Sequence, residues 1–289
     1  MFSALRQHWP EYLIEAWALG TFMVSAALFT AVLEYPGSPV HKFIPNGAER
    51  RALIGLAMGL TAIALIYSPW GQQSGAHMNP ATTLTFLRLG KVMGWDATCY
   101  IAAQFIGGVC GVLLSKLLLG AIIAHPSVSY VTTVPGPAGA GVAFLAETAI
   151  ACGMMLTVLF VTNTPGIARY AGLFAGALVF LYITFEAPLS GMSINPARTV
   201  ASALPSGIWT SGWIYFAAPV LGMWLAARLY RGFSGSSHLA CPKLHHGTRQ
   251  RCIFCGQPVQ TKLANETVIG RAGCPQPAAS ASSTDFLAR

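Results

Sequence analysis

Charge is scarce in this sequence: Asp, Glu, Lys and Arg make up 9% of its 289 residues, where a soluble domain carries about a quarter. A water-solvated surface of ordinary size cannot be built from so few. Acidic residues are the scarcer sign, 9 against 17 Lys and Arg, and most of the net +8 sits beyond residue 227. Those basic residues are scattered and no aromatic platform accompanies them, which argues against nucleic-acid binding. A Ser/His/Asp set, a phosphate-binding loop and a nucleotide motif are all missing, so the chain does not read as an enzyme. Before the first apolar run there is neither a basic n-region nor a small-residue cleavage site, so that run is expected to stay as a span.

What the chain has instead is apolar length. Hydrophobic residues make up 54% of it and fall in runs of about 20, the length that crosses a hydrocarbon core. The expected spans are 12–33, 52–69, 97–123, 142–161, 170–187 and 209–230. Two pieces, 71–90 and 190–204, are too short and too polar to cross. The fold class is therefore an all-α membrane protein with six transmembrane helices plus two half-helices. A short cytosolic N-terminus (1–10) precedes a membrane core (11–231). The tail, 232–289, is rich in Ser, Pro, Ala and Gly and is expected to be flexible, basic and cytosolic.

The two halves, about 11–123 and 142–230, repeat each other. Ser74-Gly75-Ala76-His77-Met78-Asn79-Pro80-Ala81 corresponds to Ser190-Gly191-Met192-Ser193-Ile194-Asn195-Pro196-Ala197. Gly55 and Gly59 correspond to Gly172 and Gly176, Tyr100 to Tyr215, Gly107 to Gly222, and Glu15 to Glu147. Three spans per half place the second half upside down relative to the first, which makes an inverted repeat. Interrupted hydrophobic segments at matching places in such halves point to the substrate path.

Asn is a favoured N-cap and Pro is favoured at the first helical position. Each Asn-Pro-Ala should therefore open a short helix that enters from one face and stops near the midplane. The positive ends of two helix dipoles would meet there and repel cations, while the Asn79 and Asn195 amides offer N–H groups to a neutral solute.

Over residues 11–230 the sequence resembles the aquaporin (major intrinsic protein) family, chiefly through the Ser-Gly-Ala-His-Met-Asn-Pro-Ala and Asn-Pro-Ala-Arg motifs. The resemblance implies a passive channel for water and small uncharged solutes that excludes protons and ions and needs no cofactor for transport. It also implies a homotetramer in a lipid bilayer, with one pore in each subunit. The pore motifs are then Asn79, Pro80, Ala81, Asn195, Pro196 and Ala197. The selectivity filter falls on Met58 (Gly59 if the register slips by one), Ile183, Met192 and Arg198. At the fifth helix water-selective members typically have His where this chain has Ile183, so the filter is expected to be apolar and wider. Against this, Thr199, Ala203, Tyr215 and Phe216 resemble the water group. Glu15 and Glu147 would brace the loops that carry the motifs, and His77 would be a strut or a residue of the cytoplasmic mouth. Arg88, Lys91, Arg169 and the basic tail place both termini in the cytoplasm of a plasma-membrane protein, although Lys42, Arg50 and Arg51 oppose that rule.

Two other functions suit parts of the sequence. The buried Glu15/Glu147 pair would serve a proton-coupled transporter. The tail would serve a metal or redox sensor, since Cys241, His245, His246, Cys252 and Cys255 suffice for a tetrahedral zinc site completed by one of the two histidines. A tail with unliganded thiols is the alternative.

Overall fold

A computed structural model of the chain describes residues 2–234, 239, 241–246 and 252–256. The expectation of a flexible tail falls mainly on residues outside this set, and Cys274 lies there too. Eight helices carry the architecture: α1 (Phe2–Glu34), α2 (Gly47–Tyr67), α3 (Pro80–Arg88), α4 (Gly94–Leu119), α5 (Gly139–Thr162), α6 (Ala171–Leu181), α7 (Pro196–Ser206) and α8 (Ile214–Ser234). Among the described residues, five helices are long and apolar enough to cross a membrane. The sixth span is α8, whose 21 residues match them in length. Arg228 and Arg231 in its last turns lower its apolarity.

The halves pack as the repeat requires. Helix α1 lies along α4 as α5 lies along α8, and α2 lies along α6. Glycine permits these approaches. A Cβ on Gly107 would lie 2.0 Å from the Ala16 carbonyl oxygen, and one on its counterpart Gly222 would lie 2.3 Å from that of Thr148. At the α2–α6 crossing a Cβ on Gly59 would lie 2.6 Å from the Gly176 carbonyl. With no hydrophobic drive between helices in lipid, such backbone contact is what holds spans together.

Two departures from the sequence reading have identifiable causes. Helix α1 begins at Phe2, ten residues before the expected span at 12. Polar contacts hold the extra turns: His8 Nδ1 lies 2.8 Å from Asp96 Oδ1, and Tyr12 Oη donates to the same oxygen at 2.6 Å. The fifth span is not one regular helix, because α6 runs into a π turn at Tyr182–Glu186 and then a short helix, Ala187–Ser190. Pro188 has no N–H to return to the Thr184 carbonyl four residues back, so the regular ladder breaks there. Arg51 Nε takes up the freed carbonyl at 2.9 Å.

Gly107→Ala is expected to force α1 and α4 apart and to cost about 1–3 kcal/mol, seen as a lower thermal midpoint of the detergent-solubilised protein. Gly94→Ala on the same helix, where an added Cβ meets nothing within 4 Å, should leave the midpoint unchanged.

Candidate functional site: two half-helices facing a cavity

Both half-helices start as their sequences dictate. Asn79 Oδ1 accepts from Ala81 N at 2.9 Å, and Asn195 Oδ1 accepts from Ala197 N at 3.0 Å and Arg198 N at 3.2 Å. The amide nitrogens then tie the halves together. Asn79 Nδ2 donates to the Ile194 carbonyl at 2.7 Å, and Asn195 Nδ2 donates to the Met78 carbonyl at 2.7 Å. One N–H of each amide is spent on the opposite loop, which leaves the second for the lumen.

The loops leading into the two asparagines are folded alike. Gly75 and Gly191 have φ of 98° and 84°, and the pairs Ala76/Met192 and Met78/Ile194 have φ of 54°/50° and 49°/46°. Non-glycine residues in this left-handed region are strained and persist only where their surroundings hold them. Buried carboxylates do the holding. Glu15 accepts from Ser74 Oγ (2.8 Å), His77 N (3.0 Å), Met78 N (2.7 Å) and Gln104 Nε2 (2.8 Å). Glu147 accepts from Ser190 Oγ (2.8 Å), Ser193 N (2.6 Å) and Ile194 N (2.7 Å). Tyr100 and Tyr215 donate to the Ser74 and Ser190 carbonyls. The sequence reading had no role for Gln104 or for the two tyrosine hydroxyls. The matching of Tyr100 with Tyr215 was the available signal for the hydroxyls; Pro219 stands opposite Gln104 in the repeat, so the repeat pattern gave none for the amide.

A cavity of about 750 Å³ runs past this junction. Met58, Ile183, Met192 and Arg198 line it together with Asn79 and Asn195. Gly59, the alternative register, packs against Gly176 instead. Arg198 Nη1 is buried without a hydrogen-bond partner among the described residues, a donor held ready at the wall. Glu15 and Glu147 lie outside the lining. His77 does line it, with Nδ1 3.1 Å from Thr83 Oγ1 and its ring 5.3 Å from that of Phe86.

The tail supplies a second cluster. One ligand atom from each of Cys241, His246, Cys252 and Cys255 lies within 4.8 Å of the others. Cys241 Sγ is 3.2 Å from Cys252 Sγ, and His246 Nε2 is 3.2 Å from Cys255 Sγ. The contact with Cys241 draws the Cys252 thiol down and raises that of Cys241 in turn. A Cys3His set suits zinc. His245 is not part of the group. Its ring instead lies edge-on to Tyr67, with centroids 4.9 Å apart.

Residues 6–230 match the family described as major intrinsic protein. The chain belongs to that family. It is a channel for water and small solutes. Aquaporin NIP2-2 of Zea mays is 35% identical over 216 residues, covering 73% of the channel's chain and 71% of its own. Aquaporin NIP2-1 of Oryza sativa subsp. japonica is 37% identical over 231 residues, covering 79% and 73%. The aquaglyceroporin from Plasmodium falciparum shares the fold with a TM-score of 0.65 at 20% identity, covering 78% of the channel's chain and 96% of its own.

Glu147→Gln would leave the Ile194 or Ser193 N–H facing an amide that cannot accept at both positions. An unsatisfied buried donor costs about 1–3 kcal/mol. The variant should unfold earlier in detergent and conduct less per folded molecule, which fluorescence-detected gel filtration and vesicle swelling together would measure.

Proposed function

We propose that the pore admits uncharged solutes larger than water, such as glycerol or urea, alongside water itself. The observation that carries this reading is the wall at Ile183. The π turn sets its hydrocarbon in the same lining as Met58 and Met192, and thioethers are flexible fillers. Arg198 is the polar corner of that perimeter. Such an outline suits a molecule with one hydrogen-bonding edge and some carbon surface, whereas a narrow water filter would need polar bulk opposite the arginine. In this reading Met58, Ile183, Met192 and Arg198 form the selectivity filter and Asn79 and Asn195 form the central donors. Protons and cations are turned back by the facing half-helix dipoles and the fixed guanidinium.

The carboxylates argue against proton coupling and against catalysis. Glu15 and Glu147 accept three or more hydrogen bonds each and sit away from the lumen, so a passing proton would have to break the loops to reach them. We further propose a homotetramer in the plasma membrane with both termini cytoplasmic, as the basic residues Arg88, Lys91, Arg169, Arg228 and Arg231 favour. Zinc is proposed as the ligand of Cys241, His246, Cys252 and Cys255, with no part in the transport step itself.

Two measurements check these assignments. Stopped-flow light scattering on vesicles reconstituted with metal-stripped chain should show both water and glycerol or urea crossing, and Ile183→His should reduce the larger solute more than water. Vesicles that pass water well and exclude every larger neutral solute would refute the wide filter. Elemental analysis of the reduced, purified chain should find about one zinc per chain, and Cys252→Ser with Cys255→Ser should abolish it. Zinc at background level in the wild-type chain would dismiss the metal assignment.

A further inference from the structure

The segment that bears the metal-ligand set is docked on the pore. Between Cys241 and His246 lie Pro242, Lys243 and Leu244, with Lys243 3% and Leu244 7% exposed. All three grip the loop that leads into Asn79. The Pro242 carbonyl accepts from His77 Nε2 at 2.9 Å, Lys243 Nζ donates to the Gln72 carbonyl at 3.0 Å, and Leu244 N donates to the Gly75 carbonyl at 3.2 Å. Between Cys252 and Cys255, Phe254 lies parallel to the His77 ring, with centroids 5.8 Å apart and planes 9° from each other. The Leu244 side chain joins His77 in the lining of the cavity.

Leu244 thus adds hydrocarbon to the lining beside His77. The Pro242 carbonyl takes up the imidazole donor that would otherwise hydrate the path. A constriction with its polar group satisfied and an apolar side chain across it sheds water.

Residues 241–246 and 252–256 contain no helix or strand, so no backbone ladder of their own offsets the entropy of ordering them. The four ligands sit on either side of the docking residues: Cys241 and His246 flank Pro242–Leu244, and Cys252 and Cys255 flank Phe254. A single ion joining them would hold both docking elements in register.

We propose that zinc bound by Cys241, His246, Cys252 and Cys255 folds this segment into a plug over the His77 mouth, so that the zinc-loaded channel is closed and loss of the metal opens it. This rests on the zinc reading above. The test uses full-length chain in vesicles, zinc-loaded or stripped with a chelator before reconstitution under reducing conditions, with zinc counted in the same preparations. Stripped chain, Cys252→Ser with Cys255→Ser, and a chain ending at Ser234 should all conduct severalfold faster than the zinc-loaded chain, and zinc should close only the first of them. Leu244→Ala should retain zinc and yet conduct faster than wild type, which separates occlusion from metal binding. If zinc-loaded chain conducts as well as the chain ending at Ser234, the plug is overturned while the counted zinc leaves the metal site standing. If no zinc is counted, both fail.

Discussion

Two helices that begin in the middle of a bilayer leave their first N–H groups without the backbone partners that a full span supplies, and the structure is arranged around that problem. Asn79 and Asn195 cap their own helices and reach across to the Ile194 and Met78 carbonyls. Glu15 and Glu147 gather the N–H groups of the loops before them. An intramembrane carboxylate is costly alone, and so is an unpaired backbone donor; each offsets the other. The strained left-handed residues of both loops depend on this exchange.

The braces lie on the outer side of the loops, and the lumen is left with little polarity. Asn79, Asn195 and Arg198 supply donors while Met58, Ile183 and Met192 supply hydrocarbon. On the proposed reading a charged species gains too little there to replace its hydration, whereas a neutral one loses little. Selection then comes from the few donors the wall keeps and from the room that Ile183 leaves. The same economy extends to the mouth, where His77 has its two ring nitrogens engaged by Thr83 and by the Pro242 carbonyl.

The His77 loop consequently has two sets of partners, Glu15 from within the membrane core and the tail from outside it. Anything that orders or releases 241–246 acts on a loop that ends in Asn79, one of the two central donors. The tail and the loop that carries Asn79 are thus joined by hydrogen bonds over a short path.

Much of this could be read from the residues in order. Apolar runs set the spans, Asn-Pro-Ala set the two helix starts, and the pairing of Glu15 with Glu147 and of Tyr100 with Tyr215 reported the inverted repeat, because each of these signals is local or is copied from one half to the other. Tertiary structure decided the rest. Asp96 extends α1 to Phe2, and Arg51 stabilises the π turn that Pro188 provokes beside Ile183. Packing against Tyr67 draws His245 away and leaves His246 with the cysteines. The docking of Leu244 on Gly75 joins residues 169 positions apart. Contacts of that kind arise from which surfaces the folded helices bring together, and no spacing or composition along the chain encodes them.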